Sequence, residues 1–322
     1  MLFEGQRILR VDLSSSRVEE EDIPDNVVEK YVGGKGLAAY MLYKELKPGI
    51  NPLSPDNKLY VFAGPLAYVY PTFTRTIVAS KSPLTNTFSD SNSGGSFSVE
   101  LRRAGYIGVA IEGASDKWVC LKITKEEKKL IDCENLRGKT TQEVGDYFEN
   151  YSVLTIGPAG ENLVRIAGVY IDQRSKPMTR PGVAGRGGLG AVMGSKKLKA
   201  IIVRGYLSEE VLAKNIDKEL KSKLVKEYIN FIMESVLPGI GIGGNLPVFR
   251  VSAEAKILPV MNFKYGIIEG WEKLVDDEWA KIKIGKLTCP TCPVACGAKM
   301  RANNQETDRI EYETVAMNGP NP

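Results

Sequence analysis

The sequence predicts an α+β protein, with a β-sheet-dominated domain over residues 1–205 and the start of a mainly helical domain over 206–322. In the first part, short runs rich in Val, Ile, Tyr and Thr recur between Gly, Pro, Asn and Asp turns, as in strands. After Gly205, apolar residues recur at every fourth position instead, which is the spacing of one helix face. Two packed sheets are the simplest way to bury so many alternating strand faces.

The elements follow from local patterns. Residues 6–23 hold two alternating runs joined by a Ser-rich turn, which indicates a β-hairpin. Further strands are predicted near 58–66, 75–81, 106–113, 117–124, 129–133, 152–157, 164–172 and 199–204, and helices near 36–46, 96–104 and 140–150. In the second domain, Ser208 is a suitable N-cap for one long helix with apolar positions from Leu212 to Ile232.

Composition excludes several classes of function. With 322 residues, of which 43% are hydrophobic and 25% charged, the chain has the composition of a folded globular protein. The net charge of +4 is small and no long block of one sign occurs, so nucleic acid is not an expected partner. The chain contains no histidine, which excludes a Ser-His-Asp triad, a Cys-His dyad or a His-ligated zinc enzyme within it. Any catalysis must therefore use cysteine, carboxylates, lysine, tyrosine, the backbone or a cofactor.

The N-terminus and the cysteines indicate a cytoplasmic protein. The first residues lack the pattern of a secretory signal, and no apolar run reaches the roughly 20 residues of a membrane span, so no membrane is expected as a partner. A reducing compartment argues against a disulfide framework among the five cysteines. Cys120 and Cys133 are therefore expected to be separate, buried, small apolar residues.

The most specific motif is Cys289-Pro-Thr-Cys292-Pro-Val-Ala-Cys296. Three thiolates at this C-x2-C-x3-C spacing can converge on one soft metal centre, and an iron-sulfur cluster is the preferred interpretation. A structural zinc site and three plain structural cysteines stay open as alternatives, although a zinc site would usually bring a fourth Cys or a His nearby. The identity of a fourth ligand is left open.

Three other features are candidates for binding or chemistry. Residues 184–196 are rich in glycine, which lets backbone N–H groups approach a phosphate or pterin closely, and Arg186 adds a bidentate fork. The stretch 91–96 supplies small hydroxyls, Asn92 and paired glycines before a predicted helix. Tight turns and an N-cap are the simpler alternatives for these two segments. Glu311 and Glu313 are either the general base of a chain without histidine or two solvated carboxylates.

Taken together, these segments resemble the tungsten-containing aldehyde ferredoxin oxidoreductase family. The resemblance runs in chain order through Gly33-Gly-Lys-Gly-Leu-Ala38, Ala63-Gly-Pro-Leu66, Lys81-Ser-Pro-Leu-Thr85, Asn92-Ser-Gly-Gly95, Ile156-Gly-Pro-Ala-Gly-Glu-Asn162, Ala184-Gly-Arg-Gly-Gly188, the cysteine motif and Glu311-Tyr-Glu-Thr314. It covers nearly the whole chain, and several collinear motifs are far more specific than any one of them.

The resemblance implies a tungsten or molybdenum bis-pterin lying on the first domain, a magnesium ion bridging the pterin phosphates and a 4Fe-4S cluster. By motif position, the residues lining the bis-pterin would be Arg75, Asn92, Gly94, Gly95, Gly182, Val183, Ala184, Gly185 and Arg186. Asn92 and the backbone near Val183 would contact the magnesium, and Cys289, Cys292 and Cys296 would hold the cluster. Glu313, ahead of Glu311, would be the acid/base or water-positioning carboxylate near the metal.

The implied activity is oxidation of a small aldehyde with water to a carboxylic acid, with electrons passing through the cluster to ferredoxin. Another substrate of the same family, such as formaldehyde, glyceraldehyde phosphate or that of the benzoyl-CoA reductase branch, stays open, and so does a non-catalytic cofactor-binding or scaffold module. The turn-type sequence at 318–322 leads us to expect a fragment that needs a C-terminal domain or partner chain for activity, and a homodimer is left open.

Two positions depart from the family pattern. Gly182 stands where many members place an arginine, and Lys35 stands where Gly-Gly-Arg-Gly-Leu is frequent. At Gly182 the contact to a phosphate would be rewired to Arg180 or Arg186 close by, or lost. At Lys35 a point charge replaces a bidentate fork.

Overall fold

The computed structural model describes residues 6–175, 179–236, 244–308 and 310–321, which form two compact units. The described residues of the first unit are 6–175, 181–221 and 289–291. Those of the second are 179–180, 222–236, 244–288, 292–308 and 310–321.

The first sheet of the first unit has six strands. They are β1 (Arg7–Asp12), β2 (Arg17–Asp22), β3 (Leu59–Phe62), β4 (Thr76–Lys81), β5 (Phe88–Ser93) and β6 (Gly108–Glu112). Their order is β2-β1-β6-β3-β4-β5, with β1 parallel to β6 and every other neighbouring pair antiparallel. β5 is therefore an edge strand of this sheet.

The second sheet of the first unit also has six strands. They are β7 (Val119–Ile123), β8 (Lys128–Asp132), β9 (Ser152–Thr155), β10 (Val169–Ile171), β11 (Gly182–Ala184) and β12 (Leu198–Val203). Their order is β11-β10-β9-β12-β7-β8, with β7 parallel to β12 and the other pairs antiparallel. β11 is an edge strand of this second sheet.

Seven helices accompany the sheets within the described part of the first unit. They are α1 (Asp25–Tyr31), α2 (Gly34–Glu45), α3 (Phe97–Arg103), α4 (Thr141–Tyr147), α5 (Pro158–Glu161), α6 (Leu189–Ser195) and α7 (Glu209–Leu212), with a 3-10 turn at Glu134–Leu136. α4 begins at a capping box, in which Thr140 and Glu143 exchange side-chain and backbone hydrogen bonds. Such a box satisfies two backbone donors that would otherwise lack partners.

The main core lies between the two sheets. On β3, Leu59 points into this core, whereas the next residue, Tyr60, packs with residues of α2 on the opposite face. On β12, Ile201 points between the sheets and Ile202 packs with residues of α4. Successive side chains of a strand point to opposite faces, so each central strand contributes to two apolar layers.

The second unit has its own helices, sheet and core. Its elements include α9 (Pro247–Glu254), a 3-10 turn (Trp271–Leu274), α10 (Asp276–Ala280), β13 (Lys283–Leu287), β14 (Gly297–Ala302), β15 (Gln305–Asp308) and α11 (Tyr312–Asn318). The three strands form an antiparallel sheet in the order β13-β14-β15. Phe249, Leu258 and Val315 are among the buried residues of its core. No helix within the described ranges is both long and apolar enough to cross a membrane.

The predicted α+β class is confirmed by the two six-stranded sheets and their helices. Every strand predicted in the first domain is present. Most have shorter bounds, and β8 and β12 are each displaced by one residue towards the N-terminus, but the sequence patterns do not predict β5 or β11. The β5 sequence is Phe-Ser-Asp-Ser-Asn-Ser, without the β-branched residues typical of strands, and β11 has only three residues.

The prediction of one long helix from Ser208 is wrong. α7 ends at Leu212, and a separate helix, α8 (Lys218–Phe231), continues as a π-helical turn at Ile232–Val236. The break has a local cause, because the side chain of Asp217 accepts a hydrogen bond of 2.7 Å from the backbone N–H of Leu220. An Asp in this position begins a new helix more favourably than it extends an old one.

The expectation of two separate cysteines at 120 and 133 is also wrong. Both are buried as expected, but they form a disulfide with a Cα–Cα separation of 5.9 Å. The β7–β8 hairpin causes this pairing, because Cys120 lies opposite Ile131 and the Cys133 N–H donates to Trp118 O at 2.9 Å. Sequence distance alone does not show that a hairpin brings these two residues together.

Candidate functional site

The candidate site forms where the edge strands of the two sheets of the first unit meet. The backbone N–H of Arg186 donates to Ser91 Oγ at 3.1 Å, and Ser82 Oγ donates to the carbonyl of Gly187 at 2.6 Å. These bonds join the Gly-rich segment 182–188 to β5 and the residues before it. The structure therefore brings together the two segments that the sequence analysis selected separately.

Glycine is required for this close approach. A Cβ on Gly182 would overlap Ser93 Oγ and lie 2.8 Å from the carbonyl oxygen of Gly94. Gly187 has φ +73°, in the left-handed region, and a Cβ there would overlap Ser89 Oγ. The packing therefore leaves no space for a side chain at position 182.

The predicted bis-pterin residues are only partly exposed at this junction, because Gly94 and Gly95 are buried and Gly182 is half-buried. Asn92, Gly185 and Arg186 are exposed, Val183 is 46% exposed, and Ala184 is buried beneath them. Arg75 is exposed as well, and it precedes Thr76, which pairs with Ser93 across β4 and β5. Two guanidinium groups and a glycine-rich backbone are suited to binding a phosphate-bearing ligand.

Lys35 forms an ion pair with a residue of β5. Its Nζ lies 2.7 Å from Asp90 Oδ1 on β5. The lysine side chain is 66% exposed, so this ion pair balances its charge at the protein surface.

Gly94, Gly95 and Ser96 form a turn between β5 and α3, and two backbone N–H groups of this turn donate to well-defined acceptors. The N–H of Gly95 donates to Cys289 Sγ at 3.2 Å, and the N–H of Ser96 donates to Asp172 Oδ2 at 3.0 Å. Cys289 is buried, with 7% of its surface exposed, and Asp172 is 3% exposed. Sequence reasoning missed Asp172, because a single Asp after a short strand carries no pattern of its own.

Gln173, which follows Asp172 in the chain, contacts the Gly-rich segment 182–188 of the site. Its Nε2 donates to the carbonyl of Gly182 at 3.1 Å. Asp172 and Gln173 therefore hold the 94–96 turn and the start of β11 from two successive positions of the chain, and sequence reasoning missed both.

The other two cysteines of the motif belong to the second unit. Cys292 and Cys296 are half-buried cysteines outside the disulfide, and the carbonyl of Cys292 accepts a hydrogen bond of 2.8 Å from Thr288 Oγ1. Within the described part of the chain, no three His, Cys, Asp or Glu side chains are arranged to hold a metal ion. The assignment of the cysteine motif to a cluster therefore stays a prediction from the sequence.

The two candidate carboxylates lie at the start of α11 in the second unit. Glu311 forms an ion pair with Arg180 at 2.9 Å, whereas Glu313 is exposed and accepts a hydrogen bond of 2.9 Å from Asn245 Nδ2. Nearby, burial raises the pKa of Asp308, a third carboxylate that sequence reasoning did not select. Of the two predicted carboxylates, Glu313 is the one without an ion-pair partner among its described contacts.

Comparison with known proteins places these features in a family context. The profile described as aldehyde ferredoxin oxidoreductase, N-terminal domain, matches residues 8–205, and the one described as domains 2 & 3 of the same protein matches 223–322. Tungsten-containing aldehyde ferredoxin oxidoreductases of Pyrococcus furiosus and Thermococcus kodakarensis are 36% and 35% identical to this chain over 98% of its length. The alignments cover 52% of each relative, so the chain spans about half the length of these curated relatives.

Two other relatives have different names. The WOR-like subunit of an aliphatic sulfonate oxidoreductase of Pyrococcus furiosus is 31% identical over 80% of this chain and 43% of its own length. Among solved structures, the active site complex BamBC of benzoyl coenzyme A reductase, bound to 1,5-dienoyl-CoA, matches with a TM-score of 0.75 and 27% identity. That match covers 94% of this chain and 48% of the other.

Proposed function

The chain belongs to the aldehyde ferredoxin oxidoreductase family, and on this premise we propose that it carries the cofactor-binding part of a tungsten-dependent aldehyde oxidoreductase. The proposed reaction converts an aldehyde and water to a carboxylic acid, and ferredoxin accepts the electrons. The observation that carries the proposal is the close junction of β5 and β11, where glycines leave the backbone open beside two exposed arginines.

The residues at this junction fit a bis-pterin with phosphate groups. We assign contacts with it to Arg75, Asn92, Gly94, Gly95 and 182–186, and the magnesium contacts to Asn92 and the backbone near Val183. When bound, the tungsten or molybdenum bis-pterin supplies the two-electron redox chemistry, and its own sulfur atoms ligate the metal. The chain therefore needs no histidine at this position.

The donor set of the cysteine motif fits a 4Fe-4S cluster. We propose that Cys289, Cys292 and Cys296 are three of its ligands, with the fourth supplied from outside this motif. The N–H of Gly95 aimed at Cys289 Sγ supports the assignment, because backbone N–H groups commonly stabilise the anionic sulfur of a cluster ligand.

We assign acid/base or water-positioning work to Glu313 in preference to Glu311. The Glu311 carboxylate is already held by Arg180 in an ion pair of 2.9 Å. Glu313 is exposed at the first turn of α11, so its carboxylate can exchange a proton with water or substrate.

Two relatives support other substrates within the same family. The benzoyl coenzyme A reductase complex shares the fold over most of this chain, and the sulfonate oxidoreductase subunit is 31% identical over 80% of this chain. A non-catalytic module completed by a partner chain is the remaining alternative, and it would bind the cofactor without aldehyde oxidation.

The test is metal analysis and activity of the protein produced without oxygen in a host supplied with tungstate. We expect tungsten or molybdenum together with several irons per chain, and aldehyde-dependent reduction of a viologen dye or ferredoxin. Arg186→Ala should lower the tungsten content severalfold. Arg137 is an exposed arginine that follows the 3-10 turn at Glu134–Leu136, and Arg137→Ala should leave the tungsten content unchanged. Zinc alone, or equal tungsten contents in both variants, would contradict the proposal.

A further inference from the structure

We propose that Asp172 is a positioning residue that sets the reduction potential of the cluster assigned to Cys289. It would do so by fixing the 94–96 turn so that the Gly95 N–H stays directed at the Cys289 sulfur. This inference rests on the proposed function, because it requires Cys289 to be a cluster ligand.

The carboxylate of Asp172 is buried and fully engaged. Its Oδ2 accepts hydrogen bonds from the N–H and Oγ of Ser96 at 3.0 and 2.5 Å, and from Ser152 Oγ at 3.1 Å. Its Oδ1 accepts from Ser152 Oγ and from the N–H of Val153, both at 2.9 Å. The contacts to Val153 and Ser152 fix the carboxylate to β9, so the contacts to Ser96 fix the turn to the second sheet.

The turn depends on this attachment because it consists largely of glycine. Gly94 and Gly95 are adjacent, and Gly95 has φ +116°, a conformation that other residues rarely adopt. Glycine gives the backbone more rotational freedom than any other residue. The two successive N–H groups of the turn donate to different acceptors, that of Gly95 to Cys289 Sγ and that of Ser96 to the Asp172 carboxylate. Because the two peptide groups are adjacent, loss of the Ser96 hydrogen bond allows the Gly95 N–H to rotate away from the sulfur.

The direction of the first amide matters for electron transfer. Adding one electron to an iron-sulfur cluster increases its negative charge, and hydrogen bonds to the ligand sulfurs are among the factors that set its potential. An N–H dipole directed at sulfur stabilises the reduced state more than the oxidised state, because the reduced state is more negative. Loss of this hydrogen bond should therefore lower the reduction potential.

The test requires variants that do not change the charge, because removing the Asp172 charge would shift the potential by itself. Asp172→Glu keeps the charge and moves the carboxylate by one methylene. Ser96→Ala is neutral and removes only the Oγ contacts to Asp172 and Ser152. Thr155→Val is the control, because Thr155 is buried on the same strand as Ser152 and donates to Lys199 O at 2.9 Å, away from the turn.

The measurement is a redox titration of the anaerobic holoprotein, followed by the electron paramagnetic resonance signal of the reduced cluster. For Asp172→Glu we expect the ratio of reduced to oxidised cluster at a fixed potential to fall about tenfold, which is about 59 mV for a one-electron couple. Ser96→Ala should shift the ratio in the same direction by a smaller factor, and Thr155→Val should not shift it.

An unchanged or raised potential overturns the inference. Intact clusters with unchanged potentials in both variants, or with raised potentials, would show that Asp172 does not set the potential, and the proposed function would stand. If Asp172→Glu does not fold, Ser96→Ala alone decides. If the unmodified protein contains no iron, the proposed function fails together with the inference.

Discussion

Gly182 offers the sharpest test of the close approach between β11 and the end of β5. A Cβ at this position would overlap Ser93 Oγ and lie 2.8 Å from the carbonyl oxygen of Gly94. A backbone oxygen cannot rotate away as the end of a side chain can, so Gly182→Ala must push the two edge strands apart. Overpacking of this kind lowers the free energy of unfolding by about 1–3 kcal/mol. For a unit of this size, each kcal/mol lowers Tm by about 2–4 °C.

Gly185→Ala is the matched control for stability. Gly185 lies in the same segment, its φ is outside the left-handed region, and its Cβ would meet only Val183 Cγ2 at an ordinary 3.6 Å. This substitution should leave the free energy of unfolding unchanged or raise it by about 0.4–1 kcal/mol, because it restricts the unfolded chain. Both variants are compared by thermal and urea unfolding followed by circular dichroism.

A double variant tests whether the overlap is the cause. Ser93 Oγ donates to Gly94 O at 3.1 Å, and Ser93→Ala removes the atom that lies nearest to the new methyl group. Ser93→Ala combined with Gly182→Ala should recover part of the lost stability, with a coupling above about 0.5 kcal/mol. Equal Tm values for the Gly182→Ala and Gly185→Ala variants would refute the reasoning. Strictly additive effects in the double variant would show that the overlap with Ser93 Oγ does not cause the loss of stability.

Three further predictions concern buried or paired groups of the first unit. Glu161→Ala leaves the fully buried ammonium of Lys199 without its ion-pair partner and should cost about 3–5 kcal/mol in urea unfolding. Adding Lys199→Met should recover part of that loss, and no recovery would contradict the buried-charge explanation. The hydrogen bond from Lys139 lowers the pKa of Glu143 to about 2 from 4.5, so its contribution to stability is complete above pH 4.5 and disappears as the pH falls towards 2. Glu143→Gln should flatten this part of the curve of stability against pH, and an unchanged curve would contradict the assignment. Cys133→Ser should cost about 2–4 kcal/mol more under non-reducing than under reducing conditions, where only the burial of the serine hydroxyl costs stability, and equal losses in both would indicate that the disulfide does not form.

The sequence predicts best those strands whose two faces are both buried. Central strands such as β3 and β12 are almost wholly apolar, so their sequence patterns identify them directly. The break before Asp217 and the disulfide of Cys120 cannot be predicted in this way, because the first depends on one capping bond and the second on a hairpin register. Motif resemblance selects the glycines and Asn92 of the candidate site, but not Asp172 or Gln173, which act only through three-dimensional contacts.

The two strands that sequence patterns miss are the ones that line the candidate site, and both facts have the same physical cause. An edge strand leaves half of its backbone N–H and C=O groups without strand partners, which is a liability unless polar residues, shortness or a ligand covers it. β5 is polar, β11 is short, and the two edges meet through side chains and glycine backbone, with Arg186 N–H donating to Ser91 Oγ. Because these strands are polar or short, a search for alternating apolar residues does not find them. The same composition allows them to present backbone and small polar groups to a ligand. A strand with a more typical sequence at either edge would fill this surface with bulky side chains, and Gly182 shows that the junction has no space for them.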